Sequence, residues 1–244
     1  MSIQNLTSDL RKFKLSGMVN SLEYRIKYAN DNSLSYQEFL QILCEDELNN
    51  RSDNSYKKRY RRAKLLSHKT MEDFDFSFQP SVDKRLINDA CTGQFIANKK
   101  NLIFIGNPGT GKTHLAISIG IKALLKGYKV LFTSSCEMLR QLHMSKADNS
   151  YYKKLNEYLT PDLLILDELG FKKIPSYSSD DFFDVISKRY EQGSIIITTN
   201  KLFDQWKDIF DDTVLAEAIK DRLIHHALLF QIKGKSYRTS IIKK

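Results

Sequence analysis

The segment Gly106-Asn107-Pro108-Gly109-Thr110-Gly111-Lys112-Thr113 places glycines, a lysine and a hydroxyl at the spacing GxxxxGK[ST]. Such a loop can point its backbone N–H groups inward around a polyphosphate, because glycine admits φ > 0 and leaves the anion room to approach. Lys112 would bring a full positive charge to the β- and γ-phosphates, and the Thr113 hydroxyl would serve as a ligand for Mg²⁺. A second constellation, Leu163-Leu164-Ile165-Leu166-Asp167-Glu168, begins 50 residues beyond Thr113 and sets two carboxylates after four apolar residues. Asp167 suits the metal shell, and Glu168 can polarise an attacking water. Asn200 ends the run Ile195–Thr199. Its amide either orients that water or simply favours a strand-end turn. Arg222, in Asp221-Arg222-Leu223-Ile224-His225-His226, is either a helix-face residue paired with Asp221 or Glu217, or a guanidinium offered to a neighbouring subunit's γ-phosphate. Arg238, in Ser236-Tyr237-Arg238, is open in the same way. His225 and His226 are adjacent, so on a helix they face apart and predict no metal site.

These residues need a scaffold that brings them to one edge. From residue 81 the pattern alternates helix and strand. Helices are expected over 82–97, 112–126, 136–143, 180–190 and 214–226, with buried strands at 102–105, 130–133, 163–166 and 195–199. The polar run 144–160 reads as partly helical. A final strand pair is expected at Leu228–Ile232 and Tyr237–Ile242, turning at Lys233-Gly234. Strands alternating with helices imply an α/β fold, a parallel sheet covered on both faces, with ligands at the carboxyl edge of its strands. Residues 70–80 form a connector predicted to be extended. Its Phe74, Phe76 and Phe78 alternate with polar residues, as an apolar staple or as one wall of a base pocket.

Residues 1–50 read as helical, with Gly17 dividing a first stretch and Ser35-Tyr36-Gln37-Glu38 forming a capping box for a later helix. The expected organisation is a helical domain over 1–69, a linker over 70–80 and a nucleotide-binding domain over 81–244. The chain carries 38 Lys+Arg against 29 Asp+Glu, a net charge of +9. Residues 51–69 alone hold eight of those cations and one acid, Asp53. Lys57, Lys58, Arg59, Arg61, Arg62 and Lys64, interleaved with Tyr56 and Tyr60, predict a helix that tracks nucleic-acid phosphates around most of its circumference. Lys153 and Lys154, near Arg140, Lys146, Tyr151 and Tyr152, form a second candidate.

No apolar run approaches the roughly 20 residues of a membrane span, and the N-terminus lacks a signal core, so a cytoplasmic protein is expected. Cys44, Cys91 and Cys136 are odd in number and form no CxxC, which points to reduced thiols. A GTPase would want NKxD, but Asn200-Lys201-Leu202-Phe203 has Phe where Asp is needed.

GNPGTGKTHLA, PDLLILDELG, RYEQGSIIITTN and AIKDRLIHHA, closed by GKSYR, resemble the IstB-like ATPases, relatives of the DnaC helicase loaders within the AAA+ superfamily. The resemblance covers essentially the whole chain, including LRKFKLSGM and KKRYRRAK. It implies an ATPase using ATP and Mg²⁺ that assembles as a homo-oligomer on double-stranded DNA, deforms it, and presents it to the transposase of an insertion sequence. It implies a P-loop ATPase domain without a full C-terminal helical lid. It makes the glycine loop with His114 and Arg238 the nucleotide set, Arg222 the finger in trans, and Arg238 a sensor arginine. A helicase loader is the alternative, differing in what the N-terminal residues grip. A nucleotide-gated scaffold without hydrolysis is a third, disfavoured by the presence of Glu168.

Overall fold

The structure, a computed structural model, describes residues 3–210 and 212–241. The chain forms two compact units, one ending at Lys58 and the other starting at Arg59. The first holds α1 (Ile3–Lys12), α2 (Ser16–Asp31) and most of α3 (Tyr36–Ala63). The expected division near Gly17 is present, with the break at Lys14, whose φ is +59°. Gly17 itself has a different task. A Cβ there would lie 2.6 Å from the Glu47 Cα, so the missing side chain lets α2 close onto α3. Buried Glu47 accepts the Gly17 and Met18 N–H groups at 2.6 and 3.3 Å, capping α2, and takes Arg51 Nε at 2.7 Å. Arg25 grips Asp46 through two bonds of 2.8 Å. The capping box forms as expected. Glu38 accepts the Ser35 N–H at 2.8 Å, and its own N–H reaches Ser35 Oγ at 3.3 Å.

The second unit continues through α4 (Lys84–Cys91), α5 (Gln94–Ala97), β1 (Asn101–Gly106), α6 (Lys112–Leu125), β2 (Val130–Ser134), α7 (Ser135–Ala147), α8 (Tyr151–Leu159) and β3 (Leu163–Leu169). After these come α9 (Ser176–Arg189), β4 (Ser194–Thr199), a 3₁₀ turn (Phe203–Asp208), α10 (Thr213–Ile224), β5 (Ala227–Ile232) and α11 (Tyr237–Ile241). All strands pair in parallel, in the order β2-β3-β4-β1-β5. Ile103, Ile105, Leu164, Leu166, Ile195 and Ile197 bury one face against Met138 and Leu142 of α7, Phe182 and Val185 of α9, and Ile219 and Leu223 of α10. α6 covers the other face with Leu115, Ile119 and Leu124, each at most 1% exposed. It ends as predicted at Gly127, whose φ is +95°. Among the described residues, no helix is long and apolar enough to cross a membrane.

Three expectations fail. The 82–97 helix breaks at Gly93, which turns left-handed with φ +79°. The connector 70–80 is a series of turns rather than an extended run. Asp73 accepts the Thr70 N–H and hydroxyl, and Asp75 accepts from Ser77 and the Phe78 N–H. These local bonds outcompete an extended backbone. The closing hairpin does not form either. Among the described residues, β5 pairs with β1 and with no following strand, and residues 237–241 are the short helix α11. The Tyr237 N–H donates to the Gly109 carbonyl at 2.9 Å, which draws the tail over the glycine loop. Ile242, the last residue of that expected strand, lies outside the described residues.

Candidate functional site

The loop between β1 and α6 takes the shape its glycines permit. Gly109 and Gly111 have φ of +80° and +95°. A Cβ on Gly111 would meet Phe74 Cε2 at 2.6 Å, and one on Gly106 would meet the Ile232 carbonyl at 2.5 Å. Thr110 locks the loop by donating its hydroxyl to the Asn107 carbonyl at 2.8 Å. Pro108 stands exposed at the loop's outer corner. Lys112 Nζ donates to the carbonyls of Gly106 and Asn107 at 2.7 and 2.8 Å, so the ammonium already lies inside the loop. Burial pushes it below the ordinary lysine range. The Arg238 charge adds to that depression, while the carboxylates of Asp167 and Glu168 oppose it.

β3 delivers the carboxylates. Thr113 Oγ1 donates to Asp167 Oδ1 at 2.9 Å, and the Thr198 hydroxyl donates to the same oxygen. Asp167 is 4% exposed. The pair joins a hydroxyl to a carboxylate, the hard oxygen donors that Mg²⁺ takes. Those residues fit the ion, which when bound neutralises charge developing on the terminal phosphates. Glu168 departs from the strand. Its φ is +59°, and the β3–β4 register shifts between Leu166 and Leu169. Its N–H donates to Thr198 Oγ1 at 3.0 Å, and this irregularity turns the exposed carboxylate toward the site. Glu168, Asn200, Arg238, Lys112 and Thr113 line one small cavity with Pro108 and Gly109. Sequence-distant groups from four segments therefore converge as expected at the carboxyl edge of the sheet.

A second cavity, of about 270 Å³, lies beside the loop and is bounded by Lys69, Asp73, Phe74, Gln79, Tyr237 and Arg238. Phe74 packs as the staple reading expects, and it also borders this cavity. It is 9% exposed, packs edge-on to His114 at 5.5 Å, and walls this cavity. His114 packs against it. Its Nε2–H donates to the Thr70 carbonyl at 2.7 Å, which holds the connector in place. Ser118 does the same at the Lys69 carbonyl, 3.0 Å away. Tyr237 and Gln79 went unread in the sequence. Tyr237 was concealed by the expected strand, and Gln79 carries no motif.

Arg222 lies away from these cavities. It stacks on Phe183 at 4.9 Å and donates to the Ala218 carbonyl at 2.9 Å. Among the described residues no carboxylate pairs with it, and Glu217 pairs with Lys220 instead. His225 and His226 do not face apart. α10 ends with His225 as its C-cap, still helical at φ −47° and ψ −39°, and the rings of the two histidines lie 4.1 Å from each other.

Of the basic residues, Arg59 is turned inward and donates to the Leu124 carbonyl at 3.3 and 3.2 Å, capping α6. The four other α3 candidates, Lys57, Lys58, Arg61 and Arg62, are exposed. At positions i, i+1, i+4 and i+5 they occupy one side of α3, not most of its circumference. Lys64 follows the helix with φ +53° and borders a groove that also takes in Glu168 and Lys154. Around Lys153, the charges of Arg140, Lys146 and Lys154 are matched by Glu137, Asp181 and Glu157 at 2.7 to 2.9 Å.

Residues 8–244 match the profile of the IstB-like ATP binding protein family. The chain is 43% identical over 212 residues to an ATP-binding protein of insertion sequence IS5376 from Geobacillus stearothermophilus, covering 87% of this chain and 84% of that one. It is 38% identical to the corresponding protein of IS21 from Pseudomonas aeruginosa, covering 94% of this chain and 86% of that one. Among solved structures, a DNA replication initiation factor is 26% identical with a TM-score of 0.57, covering 74% of this chain and 54% of that chain, so this chain spans about half its length. The DnaC helicase loader is 24% identical with a TM-score of 0.54, covering 72% of this chain and 99% of that one, a likeness of fold.

Proposed function

We infer function from one premise: the chain belongs to the IstB-like ATP-binding protein family, and its second unit is an AAA+ P-loop nucleotide-binding fold. We propose that it hydrolyses ATP with Mg²⁺, assembles as a homo-oligomer on double-stranded DNA in the cytoplasm, and delivers that DNA to the transposase of its insertion sequence. The observation that carries the hydrolytic part is the convergence of Lys112, Thr113, Glu168, Asn200 and Arg238 around one cavity. Lys112 and the loop amides hold the triphosphate. Thr113 and Asp167 hold the metal. Glu168 takes up the proton of the attacking water, Asn200 orients that water, and Arg238 steadies the terminal phosphate from the same subunit. Arg222 carries no carboxylate partner among the described residues and stands away from its own chain's loop, as a finger directed at a neighbour's γ-phosphate would. Lys57, Lys58, Arg61 and Arg62 grip DNA phosphates along α3, with Lys64 and Lys153 as outlying contacts. The named relatives are insertion-sequence proteins, which favours a transposase over a replicative helicase as partner.

Turnover of ATP by the wild type and by Glu168→Gln tests this reading. The variant should bind ATP, lose about 100-fold or more in rate, and remain as a nucleotide-bound oligomer on duplex DNA in sedimentation. A variant that turns over at the wild-type rate removes Glu168 from the chemistry.

A further inference from the structure

At the amino edge of the sheet, opposite the glycine loop, two turns meet. One follows α9 and carries Tyr190 and Glu191 into β4. The other follows α10 and carries His225 and His226 into β5. One donor atom from each of Glu191, His225 and His226 lies within 4.8 Å of the other two. His226 Nε2 is 3.2 Å from Glu191 Oε1. The Tyr190 hydroxyl is 2.7 Å from His225 Nδ1, and the Tyr190 ring stacks beside both imidazoles at 6.1 and 6.2 Å.

The backbones under these groups are fixed. Buried Asn101 donates its N–H to the His226 carbonyl at 2.9 Å and its amide to the Leu223 carbonyl at 3.1 Å, and accepts the Ile195 N–H at 2.9 Å. Arg189, 1% exposed, bonds the carbonyls of Tyr158 and Ser194 at 2.9 and 2.8 Å, and its own carbonyl accepts the Gln192 and Gly193 N–H groups of the turn bearing Glu191, each at 3.0 Å. Two imidazoles and a carboxylate are therefore presented from a rigid frame, with their own side chains exposed or half-buried.

We propose that Glu191, His225 and His226 bind a divalent cation of the zinc class. Two nitrogens and one carboxylate oxygen suit a borderline ion over Mg²⁺ or Ca²⁺, and leave one position open. Tetrahedral bonds of about 2.0–2.1 Å place ligand atoms about 3.3 Å apart, so rotamer shifts of roughly 1.5 Å close the site. The contact of the Tyr190 hydroxyl with His225 Nδ1 is the kind of outer hydrogen bond that typically orients a ligating imidazole; in the tautomer that carries its proton on Nδ1, Nε2 is the ligand atom. The site stands on its own geometry and does not depend on the role of Arg222.

The test is calorimetric titration of zinc chloride into the full-length, tag-free, chelator-stripped protein without nucleotide, paired with cobalt chloride absorption. One zinc per chain is expected. His225→Ala, His226→Ala and Glu191→Gln should each weaken uptake at least tenfold, with circular dichroism unchanged because the side chains lie at the surface. Tyr190→Phe should weaken it about tenfold. Cobalt should give a tetrahedral ligand-field spectrum without a sulfur charge-transfer band. No uptake at micromolar zinc overturns the proposal. Uptake that survives the His225→Ala/His226→Ala double substitution overturns it too, placing the ion at Asp167 or elsewhere. A sulfur band would assign the metal to the thiols of Cys44, Cys91 or Cys136, with the same consequence.

Discussion

Glu168 is held at φ +59° with its side chain exposed and its N–H bound to Thr198 Oγ1. An L-residue other than Asn or Asp in that conformation costs about 1–2 kcal/mol. Glu168→Gly removes the strain and keeps the N–H bond, but returns about 0.4–1 kcal/mol through the freer unfolded chain. The net gain is about 0–1.6 kcal/mol. At about 2–4 °C per kcal/mol for a unit of this size, the melting temperature should rise by up to about 6 °C. Glu168→Gln keeps the backbone strain and should leave the melting temperature unchanged. Both variants should lose ATP hydrolysis, so stability and activity move in opposite directions only for glycine. Differential scanning calorimetry on the nucleotide-free protein reads the effect. A Glu168→Gly protein melting below wild type would show that the irregularity in β3 stores no strain and that the carboxylate supports the fold instead.

Gly111→Ala should destabilise the fold by about 1–3 kcal/mol and abolish nucleotide binding, because the new Cβ meets Phe74 at 2.6 Å on a backbone with φ +95°; chemical denaturation and nucleotide titration check both. Lys112 is depressed in the folded protein, so the folded state binds fewer protons than the unfolded chain between the folded value and the ordinary lysine value. Stability of the nucleotide-free protein should rise with pH across that window, and triphosphate binding there should draw in protons, read as buffer-dependent heats. Glu47 is held below the ordinary carboxylate range by Arg51 and by the Gly17 and Met18 N–H groups, against its desolvation. Its contribution is present above the unfolded value and lost as pH falls through the folded one, so Glu47→Gln should flatten the acid limb of the unfolding curve. Replacing Lys57, Lys58, Arg61 and Arg62 by Ala should reduce the slope of log affinity for duplex DNA against log salt by about 0.9 for each DNA phosphate that is no longer neutralised; an unchanged slope would place the DNA elsewhere.

The residues that converge at the glycine loop were legible because the chemistry expected of them tolerates few substitutes. A glycine loop between a buried strand and a helix, and an apolar strand ending in Asp167 and Glu168, both point to the carboxyl edge of a parallel sheet, where these residues meet. The failures share a cause in local bonds that alternation does not register. Phe74, Phe76 and Phe78 alternate as in a strand, yet Asp73 and Asp75 fold the same segment into turns. Tyr237–Ile241 has strand composition but follows the Tyr237 N–H to the Gly109 carbonyl. Arg59 looked equivalent to its neighbours until the end of α6 supplied it a carbonyl. The meeting of His225 and His226 depended on where α10 stops, a boundary that spacing does not fix.

In the proposed function each ATP is hydrolysed between subunits, with Lys112 acting in its own site and Arg222 in a neighbour's. Mixing Lys112→Ala protein with Arg222→Ala protein on duplex DNA tests this directly. Each variant alone should be inactive, and the mixture should recover turnover, because Arg222→Ala subunits bind ATP and Lys112→Ala subunits supply the guanidinium. A mixture that stays silent, or an Arg222→Ala protein that hydrolyses normally alone, would contradict it.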